Sequence, residues 1–305
     1  MSGIIVIVGS LNMDLVVRAP RHPLPGETLI GSSFQTFPGG KGANQAVAAA
    51  RLGAQVRMIG RVGQDAFGDA LLATVQRDGV DTTFIRRDPQ APTGVALITL
   101  DAAGQNTIVV ASGANGNVSA EDVLQSVPAF EGADVLLVQL ECPLDAVQTA
   151  VQQAHQAGMK VVLNPAPARP LPPDLLRQVD YLIPNQHELT LLAGGIADRE
   201  QAIRTIQALG VPNVVVTLGD EGALLALGED RLFLPAYRVE VMDTVAAGDA
   251  FAGAFALALA EGKSPVEAAR WGNAAGAIAV TRPGAQPSMP TRQELEQFLK
   301  ERNSR

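Results

Sequence analysis

The segment Asp243-Thr-Val-Ala-Ala-Gly-Asp249 passes from a strand-like stretch, Arg238–Met242, into a helix of small residues, Ala247–Ala260. This puts the amides of Ala246, Ala247 and Gly248 at a helix N-terminus, where N–H groups without partners and the helix dipole favour an anion. Gly248 allows a ligand close to that backbone. Asp249 follows in the first turn, where a carboxylate suits the dipole and can accept a proton. An acidic residue there also serves simply to stabilise a helix, so position alone leaves both roles open.

A second cluster, Pro38-Gly-Gly-Lys-Gly-Ala-Asn44, also leads into a helix. Its glycines can bring backbone amides against a polyhydroxyl ligand, and Asn44 offers a donor and an acceptor together. Lys41 among glycines can face an anion or stand as a surface charge. Asn12 and Asp14 just past the first strand, and Glu141 past Val135–Leu140, add polar groups at strand ends, where open α/β proteins bind ligands. A third cluster, Pro184-Asn185-Gln-His-Glu188, sets Asn185 and Glu188 three residues apart on one face of an entering helix turn. That arrangement suits a hydrated Mg²⁺ beside phosphates. The same spacing fits an N-cap and its capping-box partner.

Other chemistries are absent or weakly signalled. There is no G-x-x-x-x-G-K-[ST], because Gly42 follows Lys41, and no G-x-G-x-x-G after the first strand. His22, His155 and His187 lack ligand-like spacing, and the lone Cys142 excludes an intrachain disulfide and reads as an inert, packed thiol. With 23 Lys+Arg against 31 Asp+Glu and a net charge of −8, the chain is a poor candidate for coating nucleic acid or an anionic membrane. No run reaches the apolar length of a membrane span, and Met1–Gly9 lacks a basic leader and a cleavage site, so the expected location is the cytoplasm.

These residues must be positioned by alternating strands and helices. Ile4–Val8, Val56–Ile59, Val135–Gln139, Lys160–Leu163, Tyr181–Ile183 and Val214–Thr217 read as buried parallel strands, being apolar without a period of two. Helices are predicted over Gly42–Leu52, Ala66–Asp78, Leu144–Ala157, Arg199–Leu209, Ala247–Ala260, Pro265–Val280 and about Thr291–Lys300, the last with capping-box spacing between Thr291 and Glu294. The fold class is α/β: a doubly wound, mostly parallel sheet flanked by helices, in a single domain over residues 1–305. Residues 14–37 and 93–111 lack helical periodicity and contain strand-like pieces around a hairpin loop at Asp101–Gly104. They are expected to form a small antiparallel β lid.

With these residues in view, the chain resembles the ribokinase/phosphofructokinase-B family of carbohydrate kinases, from Val8-Gly-Ser-Leu-Asn-Met-Asp14 to Arg282-Pro-Gly-Ala-Gln-Pro-Ser288. Gly39-Gly-Lys-Gly-Ala-Asn44 and Asp243-Thr-Val-Ala-Ala-Gly-Asp249 match two family signatures. Gln139-Leu-Glu141, Asn164-Pro-Ala-Pro-Ala168, Pro184 to Glu188 and Thr217-Leu-Gly219 fall in the expected order.

The resemblance implies transfer of the ATP γ-phosphoryl group to the 5-hydroxyl of D-ribose. It makes Asp249 the general base and the amides of Ala246, Ala247 and Gly248 the anion hole. It assigns the sugar to Asn12, Asp14, Gly40, Lys41, Asn44 and Glu141, together with Asp249. The nucleotide falls to Asn185, Thr217, Gly219, Gly248 and Asn273, the last near the adenine. Asn185 and Glu188 would organise Mg²⁺ through water. Asp243 and Ser288 side chains, with the carbonyls of Val245, Val280 and Pro283, would hold an activating K⁺. The resemblance further implies a homodimer through the lid strands. The chain departs from many members at Ala250 and Ala252, where they carry Thr and Asn, which touches contacts near the nucleotide. Rival readings are a family kinase for another substrate (fructose, 2-keto-3-deoxygluconate or a nucleoside) and a sugar-binding regulator without catalysis.

Overall fold

The structure, a computed structural model, describes residues 3–303. Its strands are β1 Ile4–Val8, β2 Asn12–Arg18, β3 Ser33–Gly39, β4 Gln55–Gly63, β5 Val80–Asp81, β6 Ile85–Asp88, β7 Gly94–Leu100, β8 Asn106–Ala111, β9 Val135–Val138, β10 Lys160–Leu163, β11 Tyr181–Leu182, β12 Asn213–Thr217, β13 Gly222–Leu227 and β14 Asp230–Pro235. The α-helices are α1 Lys41–Arg51, α2 Ala66–Arg77, α3 Ala120–Leu124, α4 Leu144–Gln156, α5 Pro173–Leu176, α6 Gln186–Leu192, α7 Arg199–Ala208, α8 Ala247–Ala260, α9 Pro265–Ala279 and α10 Arg292–Asn303.

The main sheet runs β14-β13-β12-β11-β10-β9-β1-β4-β5, with β6 also paired to β4. It is parallel from β5 to β12 and antiparallel at the β12-β13-β14 edge. Alternate residues of β1 serve two cores. Ile5 and Ile7 pack with α1, α8 and α9, whereas Val6 and Val8 pack on the opposite face with α4 and α7. Each such fully buried side chain contributes about 2 kcal/mol. This two-sided burial is why the strands lack an alternating pattern. Helix α8 is apolar on nearly every face because it is enclosed by α1, α9 and the sheet.

The chain leaves β1 toward β4 on one side and later returns to lay β9 on the other. The gap beyond the C-terminal ends of β1 and β9 is therefore the switch point at which doubly wound sheets bind ligands. Asn12, Glu141, Asn164, Asn185 and Thr217 all lie at or just past the C-terminal ends of strands on this side.

The segments expected to form a lid make a separate sheet, β3-β2-β7-β8. Its outer pairs are antiparallel as expected, and the inner pair β2-β7 is parallel, with Asn12 opposite Gly94. Both inner strands leave the main body in the same direction, which sets that pairing. The Asp101–Gly104 turn closes the β7-β8 hairpin. The β13-β14 hairpin was not anticipated. Arg238–Met242 is not a strand: it leaves the sheet edge and is fixed to the end of α9 by the Met242 amide donating to the Val280 carbonyl at 2.7 Å. No helix among the described residues is long and apolar enough to cross a membrane.

Candidate active site

At the N-terminus of α8 the backbone is bent by Ala246, whose φ of 60° is the one positive value at a non-glycine among the described residues. An L-residue in that region costs about 1–2 kcal/mol, so the surrounding structure must hold it there. A left-handed residue followed by helical ones turns successive N–H groups toward a common point and forms an anion-binding concavity. Ala247 and Gly248 are first-turn residues without intrahelical partners for their amides. The Ala247 amide makes only a 3.4 Å contact with the Thr244 carbonyl.

Asp249 sits one residue further on and is 6% exposed. Its Oδ2 accepts from Asn44 Nδ2 at 2.9 Å and its Oδ1 from Gln45 Nε2 at 2.9 Å. Ala246, Gly248 and Asp249 line a cavity of about 210 Å³ with Lys41, Asn164, Asn185, Glu188 and Thr217. The structure therefore joins the helix-end segment to the second and third clusters of the sequence.

Lys41 opens α1, and its amide donates to Glu141 Oε2 at 3.0 Å. The preceding Gly40 has φ +90°, and a Cβ there would lie 2.7 Å from the Asn12 amide nitrogen, so this close approach demands glycine. The Lys41 ammonium is held above the usual lysine range by Asp249, with Glu141 and Glu188 adding to it against the opposing effect of burial. Ser10 Oγ also donates to Glu141 Oε2.

A second cavity, of about 340 Å³, is lined by Asn12, Glu141, Asn115, Arg169 and others. Asn12 Oδ1 accepts from Asn115 Nδ2 at 2.8 Å. Asp14 packs over Gly39 and is in the lining of neither cavity; burial, followed by the charges of Glu141 and Asp249, pushes its carboxyl up to about 7.

Asn185 and Glu188 form the capping box of α6: Asn185 Oδ1 accepts from the Glu188 amide and Glu188 Oε2 from the Asn185 amide, both at 2.8 Å. Glu188 Oε1 is left for the cavity, and burial raises this carboxyl above the usual range. Among the described residues no group of three or more His, Cys, Asp or Glu side chains is placed to hold a metal ion. Cys142 is buried, and its thiol is pushed up to about 12, chiefly by burial.

Residues 4–292 match the pfkB family carbohydrate kinases. The chain belongs to the pfkB family. It is 44% identical over 299 residues to the ribokinase of Haemophilus influenzae, covering 97% of this chain and 98% of that one. It is 35% identical over 300 residues to the deoxyribokinase of Salmonella typhi, covering 97% and 98%. The structure of Arabidopsis thaliana ribokinase complexed with ribose and ATP superposes with a TM-score of 0.92 at 36% identity, covering 98% of this chain and 99% of that one.

Other residues singled out in this pfkB-family chain stand outside the lining of the smaller cavity. Ala250 and Ala252 are both fully buried in the core, packed within α8, and line neither cavity. Asn273 is directed to the carbonyls of Leu234 and Pro235 at the end of β14, at 3.3 and 3.4 Å, outside the lining of the smaller cavity. Gly219, with φ +60°, starts an exposed turn after β12.

Asp243 is drawn to two amides, Val245 at 3.0 Å and Gly284 at 2.8 Å, which brings those two loops together. The Val280 carbonyl already accepts from the amides of Met242 and Asp243, and Ser288 Oγ donates to the Ala285 carbonyl at 2.7 Å.

Gln45, Asn115 and Ser10 were not anticipated as contributors. Gln45 directly follows Asn44 in the glycine cluster and Ser10 lies between the first strand and Asn12, so adjacency was the available signal. Asn115 stands alone in sequence and carries none.

Proposed function

We propose that the chain transfers the γ-phosphoryl group of ATP to the 5-hydroxyl of D-ribose, giving D-ribose 5-phosphate and ADP. The observation that carries the reading is Asp249: a buried carboxylate oriented through both oxygens, beside first-turn amides that open into a cavity. Phosphoryl transfer asks a protein mainly for positioning and charge stabilisation, with one base to orient the nucleophile. Asp249 accepts the hydroxyl proton. The amides of Ala246, Ala247 and Gly248 stabilise charge on the phosphoryl oxygens.

Asn12, Asp14, Gly40, Lys41, Asn44 and Glu141 hold the sugar. Asn44 Oδ1 is buried without a hydrogen-bond partner among the described residues, so it is ready to accept from a sugar hydroxyl. Asn185, Thr217, Gly219 and Asn273 take the nucleotide side. We read residues 1–305 as one kinase unit whose lid, about 14–37 and 93–111, excludes water on closing.

The charges of Asp249, Glu141 and Glu188 act on the Lys41 ammonium, so carboxylates outnumber it and a polyphosphate needs accompanying cations to enter. This acid-rich oxygen set fits Mg²⁺ held by Glu188 and Asn185 through water, where it would offset phosphate charge. The oxygen-only set of Asp243, Ser288 and the carbonyls of Val245, Val280 and Pro283 fits K⁺, with the doubly engaged Val280 carbonyl the weakest member. Lid residues Phe34, Leu97, Ile108 and Val109 are exposed, which supports a homodimer through the lid strands.

ADP formation driven by D-ribose, measured with K⁺ or Na⁺, tests the reading. D-ribose should be the best acceptor in a panel with 2-deoxyribose, fructose, 2-keto-3-deoxygluconate and nucleosides, and K⁺ should raise turnover. The deoxyribokinase relative makes 2-deoxyribose the informative rival. Preference for it, or for any other member of the panel, would overturn the assignment of ribose.

A further inference from the structure

Gln139 and Asn164 belong to sequence motifs at strand ends, yet neither has a part in the chemistry described so far. Both converge on Gln45, which is fully buried on α1. Asn164 Nδ2 donates to the Ile183 carbonyl at 2.8 Å. A carbonyl only accepts, so this bond turns Asn164 Oδ1 toward Gln45, where it accepts from Nε2 at 3.1 Å. Gln139 Nε2 donates to Gln45 Oε1. With its oxygen held by one neighbour and one amide hydrogen by another, Gln45 has one orientation left. Its second Nε2 hydrogen is aimed at Asp249 Oδ1, at 2.9 Å. Helices α1 and α8 approach closely enough for this because position 253 is glycine: a Cβ there would lie 2.8 Å from both Ala48 Cβ and the Gln45 carbonyl oxygen.

We infer that Gln45 is a positioning residue for phosphoryl transfer: the relay Ile183 carbonyl, Asn164, Gln45, braced by Gln139, fixes the plane of the Asp249 carboxylate. This rests on the reading of Asp249 as general base. Asn44 holds Oδ2 and Gln45 holds Oδ1, so the two bonds restrain rotation of the carboxylate beside the cavity that Asp249 lines. Asn44 is also assigned to the sugar in the proposed function, whereas Gln45 lines neither cavity and is braced at both ends. A displacement of about 1 Å in a reacting group costs on the order of a hundredfold in rate, so such a brace acts on kcat more than on binding.

The test is a double-mutant cycle. Gln45→Met keeps length and apolar bulk but cannot donate. It should lower kcat by about 10–100-fold with the KM for sugar and ATP within about threefold. In an Asp249→Asn background the same change should cost less than about threefold, because the group it positions is gone. Gln139→Met provides a second route if Gln45→Met does not fold. Gln139 Oε1 has no hydrogen-bond partner among the described residues, so this change leaves only Gln45 Oε1 newly unpaired. It should lower kcat several-fold, again only while Asp249 is present.

An equal fold-loss in both backgrounds, or turnover within about twofold of wild type, would overturn the inference and leave Gln45 a packing residue. Near-normal turnover by Asp249→Asn alone would instead overturn the reading of the base.

Discussion

Replacing Gly248 with alanine separates catalysis from stability. Gly248 is the second residue of α8, and side chains there tilt toward the helix N-terminus, the direction from which an anion arrives. Beyond its own chain neighbours and helix backbone, a Cβ at this position meets no atom of the described residues within 4 Å, and the residue lines the 210 Å³ cavity. The methyl therefore projects into the space proposed for the phosphoryl oxygens. An amide must come within roughly 2.7–3.1 Å of such an oxygen to stabilise it, and a neighbouring methyl pushes the oxygen outward by about 1 Å. The expected loss is about a hundredfold in kcat, or roughly 2.7 kcal/mol of transition-state stabilisation. Alanine is also the better helix former by about 1 kcal/mol, so the folded state should gain slightly, with Tm unchanged or raised by about 1–3 °C. Steady-state ADP formation at saturating sugar and ATP, beside thermal unfolding, reads both quantities. A kcat within about threefold of wild type would contradict the anion hole, and a fall in Tm would show that the space is filled by protein.

Gly40→Ala should do the opposite: with φ +90° and the Asn12 amide nitrogen 2.7 Å from the new Cβ, it should lower Tm by several degrees and weaken sugar binding with it. Asp14→Asn tests the carboxyl raised to about 7. Because its folded value lies above the unfolded one, Asp14 weakens the unliganded fold progressively as pH rises from about 4 through 7, so Asn should raise Tm by a few degrees at pH 8, leave it nearly unchanged at pH 4, and impair sugar binding; a pH-independent change in Tm would contradict this. Glu188→Gln preserves the capping box, since glutamine also serves at that position, so Tm should hold within about 2 °C while the Mg²⁺ concentration for half-maximal rate rises about tenfold; an unchanged Mg²⁺ requirement would leave Glu188 as a helix cap alone.

What could be read from sequence was what is local. Ala247–Ala260 and Ile4–Val8 carry their identity in contiguous apolar and small residues, and both elements have those bounds in the structure. The Thr291–Glu294 capping box is likewise a local spacing, and both of its reciprocal bonds form. The β13-β14 hairpin escaped notice because Gly-Ala-Leu-Leu-Ala-Leu is short, apolar and rich in helix formers, and only its pairing with β12 settles it as strand. In the site, the glycine run and the segment ending at Asp249 were visible because each cluster is continuous. Their juxtaposition through Asn44 and Gln45 spans about two hundred residues, and the support of Asn12 by Asn115 spans 103. Such contacts depend on where the helices and strands are laid, which no window of sequence contains.

The central claim is that Asp249 is the base that activates the sugar hydroxyl. Asp249→Asn, measured for turnover with D-ribose and for ribose binding by calorimetry, tests it most directly. The account predicts a fall in kcat of about a thousandfold or more with ribose affinity within about threefold of wild type, since asparagine keeps the size of the side chain and removes the proton acceptor. Turnover near the wild-type rate would contradict it.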